Sequence, residues 1–139
     1  MMKVFLDTNI LMDFVENRTY REYAETIIEL GKSGYIQLFA SYLSYANMGY
    51  ILRKRSQEER YHMIENARKI ATVLPCNVEQ LDAALDNPVK DYEDMLQYQC
   101  ALAAKCDVIV TNNKRDFHEF CKLPFLTSEE FLLQFDYKA

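Results

Sequence analysis

The run Val4-Phe5-Leu6-Asp7-Thr8-Asn9-Ile10-Leu11-Met12 decides the reading of this chain. Its first residues form a short apolar strand, an acid and two polar residues break it, and a second apolar stretch begins at Ile10. A carboxylate where a buried strand turns into a helix is costly unless a partner or ligand takes its charge. Asp7 is therefore the first candidate site residue. The question for the rest of the chain is which further acids converge on it.

Outward from this run, strands alternate with helices. The pattern predicts strands over 3–7, 36–40, 73–75 and 107–111. It predicts helices over 9–16, 20–32, 42–54, 57–71, 78–86, 92–105 and 128–135, and a short one near 114–119. Ser56 with Glu59, Asn77 with Gln80 and Thr127 with Glu130 are capping-box pairs that mark helix starts. Asp91 with Asp94 is a looser version. Alternation of this kind implies a parallel sheet covered on both faces. Ile36-Gln37-Leu38-Phe39 and Val108-Ile109-Val110 suit its central strands. Helix 92–105 carries Leu96, Cys100, Ala101, Ala103 and Ala104 on one side, small enough to approach the sheet closely, and is expected in the core.

With 139 residues, half of them hydrophobic, the chain suits one folded domain spanning 1–139 and excludes a disordered segment. Three Gly and three Pro fit a largely helical protein. The apolar runs are too short to span a membrane, and no signal peptide is evident, so cytoplasm is the expected compartment. Cys76, Cys100, Cys106 and Cys121 form no metal-ligand spacing with His62 or His118 and read as reduced core residues. The net charge of −5 excludes a surface built for nonspecific nucleic-acid binding. Positive potential is confined to Arg53-Lys54-Arg55 and Lys114-Arg115, which suit either helix ends or the rim of a site.

Ligands of open parallel sheets bind at the carboxyl edge of the strands. Asp7 ends the first strand, Asp116 follows the strand ending at Thr111, and Asp94 lies in the first turn of a helix that starts at the same edge. The fold class alone therefore gathers Asp7, Asp94 and Asp116. Two carboxylates about 4 Å apart repel by roughly 4 kcal/mol at an effective dielectric of 20, a sign that a divalent cation reverses. Magnesium and manganese suit such a site, since they prefer oxygen ligands and keep several waters. Duller roles exist for each residue. Asp7 suits a turn or cap, Asn9 a helix cap, Asp94 a dipole partner, Asp91 the cap of its helix, and Asp13 the exposed face of the first helix. Glu93 lies about 100° from Asp94 on a helical wheel and is a weaker candidate. Ser41, Ser44 and Asn47 share a helix face with Met48 and Ile51. Asn47 suits a structural hydrogen bond or a neutral site contact equally.

Three segments in this order resemble the PIN-domain family, including its VapC-like toxins. Leu6-Asp7-Thr8-Asn9-Ile10-Leu11-Met12-Asp13 resembles the opening motif, Asp91-Tyr92-Glu93-Asp94-Met95-Leu96-Gln97 the later acidic motif, and Thr111-Asn112-Asn113-Lys114-Arg115-Asp116-Phe117 the final one. The resemblance covers nearly the whole chain. It implies a three-layer α/β/α sandwich around a parallel sheet of about four to five strands, and a Mg2+- or Mn2+-dependent ribonuclease. Asp7, Asp94 and Asp116 would hold the metal, with Asn47, Asp91, Thr111 and Asn113 as supporting residues. Arg53, Lys54, Arg55, Lys114 and Arg115 would steer the RNA. The same resemblance implies a homodimer and a small antitoxin partner. One departure stands out: Asn47 occupies the helix position where many members carry an acid, and Asp91 is the candidate to compensate.

Two other functions compete. A non-catalytic RNA- or protein-binding module on the same scaffold would fit the neutral Asn47. A haloacid-dehalogenase-type phosphatase would also use an acid at the end of the first strand, but it needs a second carboxylate where this chain has Asn9.

Overall fold

A computed structural model describes residues 1–135; positions 136–139 of the expected domain lie outside the described residues. The elements in chain order are β1 (Met2–Leu6), α1 (Thr8–Val15), α2 (Arg21–Lys32), β2 (Ile36–Ser41), α3 (Tyr42–Ile51), α4 (Gln57–Arg68) and β3 (Thr72–Leu74). Then follow α5 (Val78–Asp86), α6 (Tyr92–Ala103), β4 (Val108–Val110), α7 (Lys114–Phe117), β5 (Phe125–Leu126) and α8 (Ser128–Gln134). The strands form one five-stranded sheet in the order β3-β2-β1-β4-β5. Every pairing is parallel.

The period-two alternation of the strands divides the core between the two faces. Val4, Leu6, Ile36, Leu38, Ala40, Val108 and Val110 pack with α1, α2, α3, α4 and α8. Phe5 and Ile109 point the other way, onto α5, α6 and α7. These are the layers of an α/β/α sandwich.

Beyond shifts of one to three residues at element ends, three details differ from the sequence expectation. Strand β5 is a two-residue strand, too short to give periodicity, and exists through backbone bonds from Ile109 N to Pro124 O and from Thr111 N to Leu126 O. Helix α3 stops at Ile51 because Leu52 turns into the core and Ser56, bonding Glu59 N, starts α4. On α6, Ala103 is exposed at the helix end, while Met95, Gln97 and Tyr98 join Leu96, Cys100 and Ala101 in the interior. The four cysteines are free thiols, two of them buried. No helix among the described residues is long and apolar enough to cross a membrane.

Candidate active site

Register places the first two site residues. Leu6 pairs with Val110 across β1 and β4, so Asp7 and Thr111 leave the sheet side by side at its carboxyl edge. The Asp7 amide still bonds Val110 O at 3.0 Å, which fixes the turn before its side chain departs. Asp7 caps α1, its Oδ1 accepting from Thr8 N at 2.8 Å. Its Oδ2 accepts from the Thr111 hydroxyl at 2.8 Å and from Asn9 Nδ2 at 3.0 Å. Asn9 is therefore not the cap that the sequence suggested. It lies one step inside α1, where its amide also reaches Thr111 Oγ1 and its Oδ1 accepts from Asn112 N.

On the other side of the cleft, Asp91 caps α6, accepting from Asp94 N at 3.0 Å. The helix start thus projects Asp91, Glu93 and Asp94 at the same strand edge. Asp116 comes from α7 and is bonded by the Asn113 side-chain amide. Asn113 N in turn donates to Thr111 Oγ1. Among the described residues, Asp91, Asp94 and Asp116 offer carboxylate oxygens that all lie within 4.8 Å of one another. Asp7 is not part of that triple, but it lines the same cavity of about 310 Å³, together with Asn9, Asn47, Glu93 and Asn113. Asp91 is thus the cap of α6, as its spacing from Asp94 predicts, and its carboxylate also lies in the acidic triple.

The electrostatics follow from burial and crowding. Asp94 is only 8% exposed. Its carboxyl is pushed up to about 8, first by burial and then by the charges of Asp7, Asp91 and Asp116. Burial likewise raises Asp7 to about 6, against the lowering effect of the Thr111 and Thr8 hydrogen bonds. Glu93 adds to that rise, so its charge is felt at Asp7. The donor set is all oxygen and mostly carboxylate. Its unrelieved like charge is what a hard divalent cation would neutralise, so the residues present fit Mg2+ or Mn2+.

Several residues in or behind the site carried no sequence signal. Asp13, expected on the surface, is 5% exposed and accepts from Asn112 Nδ2 at 2.8 Å. Asn112 Oδ1 also accepts from Ser128 N and Oγ, so one amide ties α1 to the start of α8. Behind the acids, Gln97 is completely buried and bonds Ser41, Ser44 and Thr8. Thr8 and Ser44 bond one another at 2.8 Å. This network locks α6, one turn beyond Asp94, against β2, α3 and α1. The spacing of Ser41 and Ser44 was visible in the sequence; their partner was not.

The basic residues divide. Arg18 lines the cavity and is bonded to Glu16, a cation the sequence reading did not nominate. Arg53 stacks on Tyr50, 4.0 Å from the ring centroid, and Tyr50 and Ile51 are exposed residues of the cavity wall. Arg55 pairs with Glu16 and Glu59, and Lys114 with Glu130. Lys54 and Arg115 are exposed.

A family model described as the PIN domain matches residues 3–115, a span that includes Asp7, Asp91 and Asp94 and ends one residue before Asp116. The chain belongs to the PIN domain family. Among curated proteins it is similar to Ribonuclease VapC1 of Aquifex aeolicus (strain VF5), with 28% identity over 135 residues, covering 93% of this chain and 92% of the relative. The PIN fold is shared with the solved structure of DNA-bound VapBC from Salmonella typhimurium (TM-score 0.72, 22% identity), which covers 92% of this chain and 99% of that one. It is shared equally with VapBC2 from Rickettsia felis bound to a fragment of its promoter DNA (TM-score 0.72, 16% identity), over 89% and 97% of the respective chains.

Proposed function

We propose that this PIN domain is a divalent-metal-dependent ribonuclease and the toxin of a toxin–antitoxin pair, with residues 1–139 acting as one unit. The observation that carries the reading is the meeting of Asp91, Asp94 and Asp116, with Asp7, in one cleft at the sheet's carboxyl edge. The similarity to a protein named as a ribonuclease supports the activity, and the likeness to VapBC assemblies supports an antitoxin partner.

Asp7, Asp94 and Asp116, with Asp91 beside them, would hold Mg2+ or Mn2+, which when bound activates water and neutralises charge on a phosphodiester. The chain's own residues do the positioning. Thr111 and Asn9 orient Asp7 through its Oδ2, and Asn113 holds Asp116. Arg18 stands at the cavity wall, where a phosphate would meet a guanidinium. Tyr50, backed by Arg53, presents an aromatic face on which a base of single-stranded RNA can stack. Arg53, Lys54, Arg55, Lys114 and Arg115 steer the backbone towards the cleft, a contribution that weakens with salt. Asn9 donates to Asp7 where a phosphatase of the haloacid-dehalogenase type would need an acid.

The test is cleavage of RNA by the purified chain with Mn2+, beside Asp7→Asn and Asp94→Asn. The parent is expected to cut and both variants to lose about a hundredfold or more in rate, since even an outer-shell partner of a metal is worth about 10–100-fold. Cleavage that survives both substitutions, or chelation, would refute the assignment. RNA binding without any cleavage would leave the non-catalytic binding module as the function.

A further inference from the structure

Asn47 and Glu93 face each other across the cavity from different helices. Asn47 lies in the middle of α3 and is half-buried; Glu93 is the second residue of α6. The Asn47 Nδ2 donates to Glu93 Oε1 at 2.6 Å. No other hydrogen bond reaches the Glu93 carboxylate among the described residues. Both residues line the cavity that holds Asp7, Asp91, Asp94 and Asp116.

A glutamate in the first turn of a helix is usually explained by the helix dipole, and needs no partner. That explanation accounts for the position of Glu93 in α6, but not for the hydrogen bond that holds its side chain over a pocket already crowded with negative charge. Without a cation the electrostatic preference of Glu93 is to swing away from Asp91 and Asp94. Asn47 is suited to oppose that swing. A carboxylate at position 47 would repel Glu93, a lysine would cancel its charge, and the amide alone donates a hydrogen bond while leaving the charge intact.

We infer that Glu93 is a further carboxylate of the metal pocket and that Asn47 is its positioning residue, the two acting as a unit. The inference rests on the metal-dependent reading above. Its consequence is that charge missing at position 47 is delivered to the cleft from α6 instead, and that Asp91 is not the sole compensating acid. The pair also ties α3 to the start of α6 at the cleft.

Calorimetric titration of the full chain with Mn2+ tests this independently of activity, using the parent, Asp94→Asn, Glu93→Gln, Asn47→Ala and the Glu93→Gln/Asn47→Ala double variant. Thermal melts in EDTA establish that each is folded. Expected are saturable binding in the parent, loss of binding in Asp94→Asn, and affinity weakened by about tenfold or more in Glu93→Gln. Asn47→Ala should weaken binding to a smaller extent and should add nothing in the Glu93→Gln background, a non-additivity that independent structural roles do not produce. If Asp94→Asn abolishes binding while Glu93→Gln stays within about twofold of the parent, the Glu93 assignment falls and the metal site stands. Additive single effects would remove the positioning role of Asn47. No binding in the parent would overturn both readings.

Discussion

Replacing Asp94 by Asn should make the metal-free protein more stable at alkaline pH and, on the proposed reading, abolish cation binding. Asp94 rises from 3.8 to about 8 on folding, chiefly through burial and then through Asp7, Asp91 and Asp116. An acid whose folded value lies above its unfolded one costs nothing below about pH 4, where both states are protonated. Between about pH 4 and pH 8 the native state holds the extra proton, so stability falls as pH rises through that window and the full penalty is present above it. At ~1.4 kcal/mol per unit the ceiling is several kcal/mol. The like-charge part alone, for carboxylate oxygens within 4.8 Å, is about 1–3 kcal/mol per pair at effective dielectrics of ~20–80. Asparagine reproduces the protonated acid in shape and can still donate to Asp91, so it removes the charge at little packing cost. A gain of about 2 kcal/mol at pH 8 is expected, or roughly 8 °C in melting temperature for a chain of this size. The assay is thermal unfolding in EDTA from pH 5 to 8.5, repeated with excess Mn2+. The parent should lose stability with pH in EDTA and regain about 2.7 kcal/mol at a hundred times its Kd. The variant should keep only the smaller fall below about pH 6 that Asp7 contributes, stay level from there to pH 8.5 and be indifferent to Mn2+. If parent and variant fall in parallel with pH in EDTA, the carboxylates do not repel as argued and the cleft is not charged by crowding.

Two further substitutions probe the residues behind the acids. Gln97→Leu keeps the volume but strips the partners of Ser41 and Ser44, which are fully buried. At ~1–3 kcal/mol per unsatisfied buried group, partly offset because Thr8 and Ser44 still bond each other, a loss of about 2 kcal/mol is expected by urea denaturation; a loss below about 0.5 kcal/mol would show that the network is not structural. Thr111→Val removes the hydroxyl that donates to Asp7 and accepts from Asn9 and Asn113. Mn2+ affinity should drop about 10–100-fold and recover in Thr111→Ser, and an unchanged Thr111→Val affinity would remove Thr111 from the support of Asp7.

The sheet and its long helices were legible because their patterns are local: apolar runs of strand length, capping pairs at helix starts, and few breakers. The strand edge where the acids meet was legible too, because parallel topology determines which end of each strand a following helix returns to. What escaped were features that depend on a partner distant in the chain. Asp13 looks exposed by helical phase, and becomes buried only because Asn112 arrives from β4 to bond it. Gln97 looks like an ordinary polar position on α6 until Ser41 and Ser44 meet it. Glu93 reads as the weaker candidate on wheel angle, yet a glutamate is long enough to span that offset when an amide on α3 catches it. Strand β5 has two residues, and no periodicity exists at that length.

The acids are not equivalent, and the hydrogen bonds say why. Asp7 has both oxygens engaged by donors, Oδ1 by the Thr8 amide and Oδ2 by Thr111 and Asn9. Those donors stabilise its ionised form and fix its direction, so on the proposed reading Asp7 would meet a cation as a rigid, pre-oriented charge. Asp94 lacks such relief: burial first, and then the charges around it, keep it poised to hold a proton. A cation entering the cleft would therefore displace protons chiefly from Asp94 and gain its orientation chiefly from Asp7. Affinity should accordingly climb between about pH 6 and pH 8 in the parent, with Asp94 responsible for the slope and Thr111, through Asp7, for the level. The two contributions are separable because Asp94 lies on α6, whereas Asp7 and Thr111 leave the sheet at the ends of β1 and β4.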